Sequence, residues 1–236
     1  MLVLAVETGT ERASAVLAED GAELAAWREV THHDLCRRLA PEVRAVLRGA
    51  ARGFEDVELV AVGLGPGAFT ALRVGLATAK AMAMVREIPL VGISSLTAMC
   101  WQMRGQVSGL VCPVLDARRG EVYAAIYRVT EKTVERLAAE FAARPEELAR
   151  RLRHAGGAAT VFGELDRIPG EDIARALGDA GTVWSQRTVL PDALAVAQLA
   201  SRRYASSGAD DLASLRPIYV RKSYAEERFD IDLGLR

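Results

Sequence analysis

Three strands packed into residues 2–30 set the strongest constraint on the fold. Leu2 to Glu7 reads as a buried strand, Thr8-Gly9-Thr10 turns the chain, and Ala13 to Glu19 reads as a second strand. After the tight-turn dipeptide Asp20-Gly21, a third strand runs from Ala22 to Val30. Strands joined this closely form an antiparallel meander. Apolar Leu35, Leu39, Val43 and Leu47 then recur at the spacing of one helix face, with Pro41 expected to kink that helix or start a new one. Val57 to Val62 is a fourth strand, Ala68 to about Arg86 a helix and Pro89 to Ile93 a fifth strand. Ser94-Ser95 caps another short helix.

The first hundred residues thus read β-β-β-α-β-α, and the order partly recurs. Leu110–Leu115 is apolar, Asp116–Gly120 is a turn, and Glu121–Val129 alternates like a strand. A third strand is expected over Thr133–Ala138, a helix over Pro145–His154, a strand over Ala158–Phe162 and a short helix over Asp172–Leu177. A last helix, Pro191–Tyr204, has Pro191 in its first turn. The expectation is an α/β protein of two similar halves, residues 1–104 and residues 105–236, the second with the final helix and tail.

Composition narrows the class without naming a role. The 236 residues carry 30 basic and 31 acidic side chains, so nothing global draws the chain to nucleic acid or to a membrane surface. Of the 30 cations, 27 are arginine, which reads as a compositional habit. Cys36, Cys100 and Cys112 have no zinc-ligand spacing and fit a reduced chain. Met1–Val6 is too short for a signal peptide or a membrane span, so a cytoplasmic protein is expected.

The helix Ala68–Arg86 is apolar nearly all round, with Arg73 and Lys80 on one narrow stripe. Such a helix needs cover on both sides. Gly75, Ala79 and Ala83, four apart, would let another backbone approach closely. We therefore expect Leu72, Gly75, Leu76, Ala79 and Ala83, with Leu39 and Val43 of the preceding helix, to form a subunit interface.

Several short motifs could carry chemistry. Gly63-x-Gly65-x-x-Ala68 has the strand-to-helix context of a dinucleotide fingerprint, but the following strand ends in Ser94-Ser95 where a ribose-binding acid should stand. Glu7, Thr8 and Gly9 with Gly65 and Gly67 remain a candidate nucleotide-phosphate turn. Ser94 half-resembles a nucleophile elbow without its second glycine. His32-His33-Asp34 diverge as adjacent side chains and have no further ligand at metal spacing. Asp116, Arg118, Arg119 and Glu121 crowd a turn that also holds Gly120.

The blocks Leu4–Thr8, Gly65–Lys80, Ile88–Leu96 and Asp116-Ala117-Arg118-Arg119-Gly120-Glu121-Val122-Tyr123 occur in that order, and Arg216–Arg221 carries a Pro-x-Tyr-x-Arg stretch. Together they resemble the TsaB (YeaZ) family of the bacterial threonylcarbamoyladenosine pathway, closely over the first 125 residues and loosely beyond. The resemblance implies an actin-like ATPase (ASKHA) fold of two β-β-β-α-β-α halves. It implies a non-catalytic subunit that supports its paralogue TsaD, with TsaE, in transferring a threonylcarbamoyl group to adenosine 37 of tRNA, and a homodimer when TsaD is absent. tRNA is then met indirectly, through the complex. No cofactor is required by this chain, with ATP or ADP binding left open at the complex interface.

Where TsaD carries an H-x-x-x-H metal pair, this chain has Ser95 and Met99. Two departures come with the resemblance: Glu7-Thr8-Gly9 stands where the family usually has Asp-Thr-Ser, and His33 to Pro41 matches poorly the His-to-Pro spacing of the family's first helix. Asp116, Arg118, Arg119 and Glu121 form a family motif without an assigned role. Two other readings stay open: an independent hydrolase using Ser94 or a metal near His32 and His33, and a nucleotide-binding regulator using Glu7–Thr10 and the Gly65–Gly67 loop.

Overall fold

The computed structural model describes residues 1–31, 34–168, 170–183 and 188–221. The chain divides into two compact units, Met1–Ala98 with Pro191–Ile218, and Met99–Leu190 with Tyr219–Arg236. In the first unit the elements run β1 (Leu2–Glu7), β2 (Arg12–Glu19), β3 (Ala22–Val30), α1 (Leu35–Gly49), β4 (Leu59–Gly63), α2 (Phe69–Arg86) and β5 (Leu90–Ile93). Helix α3 (Ser95–Met103) carries the chain onward. The second unit holds β6 (Gly109–Asp116), β7 (Val122–Ala124), β8 (Tyr127–Val129), β9 (Val134–Arg136), β10 (Phe141–Ala143), α4 (Pro145–His154), β11 (Ala159–Gly163), α5 (Gly170–Leu177) and β12 (Gly181–Val183). Helix α6 (Ala193–Ser207) returns to the first unit.

The two sheets repeat one topology. The first has the order β3-β2-β1-β4-β5, with β3, β2 and β1 antiparallel and β1, β4 and β5 parallel. The second runs β10-β7-β6-β11-β12 with the same alternation of antiparallel and parallel pairs. A β8–β9 hairpin paired to β6 is the addition. The expected second strand over 121–129 is broken into β7 and β8. The pieces of three residues in β10 and β12 are too short to leave a period in the sequence.

Strand β1 is buried at every position because helices cover both faces of its sheet. Leu2, Leu4, Val6, Ala13, Ala15 and Leu17 join a core with Leu39, Val43 and Leu47 of α1 and Leu76, Ala79 and Ala83 of α2. Ser14, alternate to Ala13 and Ala15, instead accepts the Ala193 amide of α6 at 3.0 Å. Helix α6 packs on β1, β2, β4 and β5, so the final helix belongs with the first unit. A single cut after residue 104 places it with the second. Its cap is Asp192, whose side chain accepts the Leu194 amide at 2.9 Å. Pro191 lies just outside the helix, not in its first turn. Helix α1 continues through Pro41 as one element, so no second helix starts there.

Candidate functional site

The predicted phosphate-turn residues do come together, at the C-terminal end of β1. Glu7 is fully buried, and its carboxylate folds back along its own chain. Oε1 accepts the Gly9 amide at 2.6 Å and Oε2 accepts the Ser95 hydroxyl at 2.7 Å. Ser95 Oγ in turn accepts the Gly65 amide at 3.1 Å, while the Ser95 amide donates to the Gly65 carbonyl at 2.8 Å. Gly67 sits against Gly9 so closely that an added Cβ would lie 2.0 Å from the Gly9 carbonyl oxygen. That carbonyl accepts the Ala68 amide at 2.8 Å. Thr8 Oγ1 donates to the Ala71 carbonyl of α2 at 2.9 Å. Burial pushes the Glu7 carboxyl up from its ordinary range, against hydrogen bonds from Gly9, Ser95 and Thr8 that pull it down.

The turn is therefore filled from within. Sequence reasoning missed two parts of it: Ser95 as the partner of Glu7, and Gly63, where a Cβ would meet Glu7 Oε2 at 1.9 Å. The available signal was the glutamate itself, whose extra methylene lets the carboxyl reach back to residue 9.

The expected interface residues require a correction. Leu72, Leu76, Ala79, Ala83, Leu39 and Val43 are all at most 6% exposed, and all but Leu72 lie in the core just described. Gly75 is buried against Thr8, 2.3 Å from Oγ1 to a hypothetical Cβ. The small-residue stripe admits the chain's own β1 turn, so these side chains are not available to a partner. The exposed residues of α2 are Thr70, Arg73, Ala77, Ala81, Met84, Val85 and Arg86, with Met84 and Val85 66% and 78% exposed. The apolar composition signalled two covered faces, but its phase around the helix could not say which face the sheet takes.

The second motif lies in the second unit as a left-handed turn, with Arg118, Arg119 and Gly120 at φ 64°, 57° and 74°. Asp116 Oδ1 accepts the Arg118 amide at 2.7 Å, and the Glu121 amide donates to the Arg118 carbonyl at 3.1 Å. Arg221 clamps the far side by donating to the Ala117 carbonyl at 2.7 Å and pairing with Glu121. The carboxylates thus shape the loop, while Arg118 and Arg119 are exposed. The C-terminal Pro-x-Tyr-x-Arg stretch has a visible task here, since its arginine is the clamp.

The hydrolase candidates fare unevenly. Ser94 Oγ is buried without a hydrogen-bond partner. The described histidine is His154 on α4, whose Nδ1 lies 2.7 Å from the Arg150 carbonyl oxygen. His32 and His33 lie outside the described residues. Among the described residues no cluster of three or more His, Cys, Asp or Glu could hold a metal ion. Ser95 and Met99, on α3, are both fully buried. No helix among the described residues is long and apolar enough to cross a membrane.

Two sheets of one topology, each with helix-bearing parallel crossovers, define an α/β protein with the actin-like fold. An activator of 2-hydroxyisocaproyl-CoA dehydratase from Clostridium difficile, solved with ADPNP, shares that fold at TM-score 0.50 and 11% identity, over 93% of this chain and 100% of that one. A Pseudomonas aeruginosa structure, described as an uncharacterised protein with similarity to peptidase YeaZ, superposes at TM-score 0.80 and 25% identity. It covers 93% of this chain and 99% of its own. The family model for TsaD, tRNA N6-adenosine threonylcarbamoyltransferase, matches residues 29–168. The tRNA threonylcarbamoyladenosine biosynthesis protein TsaB of Escherichia coli is 30% identical over 237 residues, spanning 95% of this chain and 96% of that protein. The chain belongs to the TsaB family.

Proposed function

We propose that this chain is the non-catalytic subunit of the tRNA threonylcarbamoyladenosine-37 modification complex, supporting TsaD together with TsaE. The observation that carries this reading is the use made of positions 95 and 99. A metal-dependent transferase aligned as above needs imidazoles there. This chain places a serine hydroxyl committed to Glu7 and a methionine packed in the core. The closed β1 turn supports the same reading, since its donors are spent on the chain's own groups.

The surface offered to TsaD is the open face of α2, where Met84 and Val85 expose apolar side chains near Ala77 and Ala81. The same face pairs two copies of the chain when TsaD is absent. Met84→Asp combined with Val85→Asp places two charges on this face without entering the core. Co-purification with TsaD and the dimer on size exclusion are both lost in that variant, while its circular dichroism is unchanged. Undiminished capture of TsaD removes this face from the account.

A further inference from the structure

At the β1 turn the buried Glu7 carboxyl is held by donors from two separate segments of the chain. One backbone amide, of Gly9, and one hydroxyl, of Ser95, converge on the Glu7 carboxyl. An amide and a hydroxyl that donate to one carboxylate make charge-assisted hydrogen bonds of the kind that hold a bound oxyanion. Room for the two oxygens comes from missing side chains: a Cβ on Gly63 would lie 1.9 Å from Oε2, and one on Gly9 3.0 Å from Oε1. No cation is bonded to Glu7 among the described residues. A buried carboxyl without a cation is tolerated only where donors satisfy its oxygens. The network continues outward, because Ser95 also binds both the amide and the carbonyl of Gly65, in the loop that leads into α2.

We propose that the Glu7 carboxyl is the built-in ligand of an oxyanion site formed by the Gly9 amide and the Ser95 hydroxyl, so that this chain holds its first turn, and through Ser95 the loop into α2, with its own side chain in place of a bound anion. The ligand class is a small oxyanion, carboxylate or phosphate. The inference does not depend on the role with TsaD, and it is tested on the chain alone, so the two can fail separately.

The experiment uses the full chain with Glu7→Ala, with sodium formate and inorganic phosphate as probes and sodium chloride at equal ionic strength as the control. Amide exchange at Gly9 and Gly65 is followed with the thermal midpoint. In Glu7→Ala both amides exchange at least tenfold faster than in wild type. Formate, which can re-enter as the missing carboxylate, restores protection and midpoint where chloride does not. Wild type and Glu7→Gln, whose side chain still fills the site, respond to neither probe. Formate that restores nothing in a folded Glu7→Ala, or phosphate that binds wild type at this turn, overturns the proposal. Should Glu7→Ala fail to fold, Glu7→Asp replaces it. The carboxyl is then one methylene short, and Gly9 exchange rises while the fold persists. Unchanged exchange in Glu7→Asp overturns the proposal equally.

Discussion

Gly75→Ala separates a glycine that serves helix contact from one that is merely tolerated in a helix. On an exposed face the change would stabilise α2 by about 1 kcal/mol through helix propensity. Here the new Cβ would lie 2.3 Å from Thr8 Oγ1, 3.2 Å from its Cγ2 and 3.3 Å from its Cβ. Turning Thr8 about χ1 moves the hydroxyl off the new Cβ, but at a cost. It breaks the bond to the Ala71 carbonyl, leaving a buried polar group unpaired at about 1–3 kcal/mol. Overpacking adds about 1–3 kcal/mol as α2 shifts from β1. Against the propensity gain, the net expectation is a loss of about 3 kcal/mol. Urea denaturation with unchanged m measures it. In a Thr8→Ala background the same Gly75→Ala change should cost little, because Oγ1 and Cγ2 are gone. Ala81→Gly, on the open face, costs about 1 kcal/mol and calibrates propensity on the same helix. A Gly75→Ala protein as stable as wild type, or no coupling with Thr8, refutes the close approach of α2 to the β1 turn.

Asp192 both caps α6 and accepts Arg28 Nε at 2.6 Å. Burial pushes its carboxyl up, but the Arg28 bond and the Leu194 amide outweigh this and leave it below the ordinary carboxylate range. Its stabilising contribution is therefore present above the unfolded value and lost as pH falls through the folded one. Asp192→Ala should lose roughly 2–3 kcal/mol at neutral pH, with the difference from wild type shrinking in acid, as read by denaturation at stepped pH. Arg221→Ala should release the Ala117–Glu121 turn, giving faster amide exchange at Glu121 with the rest of the second unit unaffected. Equal protection in the two proteins would mean that Asp116 alone holds the loop.

Much of the frame was legible because it rests on period and punctuation. The strand pattern of residues 2–30, with Asp20-Gly21 between two runs, fixes the meander, and β1 and β3 fall at the expected residues. Pro145–His154 is equally clear, with proline at the first turn and an amphipathic stripe through Leu148 and Leu152. What escaped is what depends on the third dimension. The apolar circumference of α2 does not reveal that Gly75 faces Thr8 and Val85 faces outward. Nor does spacing reveal that Glu7 and Ser95, 88 residues apart, share a hydrogen bond. Helix α6 shows the same limit: its own residues define a helix, while its membership of the first unit is decided by the sheet face that Ser14 presents.

The central claim, a required but non-catalytic partner of TsaD, is tested most directly by rebuilding the modification from purified components. TsaD and TsaE with this chain, ATP, threonylcarbamoyl adenylate as the donor and an unmodified tRNA should yield threonylcarbamoyladenosine at position 37. Omission of the chain should abolish the product, and a Ser94→Ala chain should support it at the full rate. Full-rate modification without the chain, or loss of product with folded Ser94→Ala, would contradict the account.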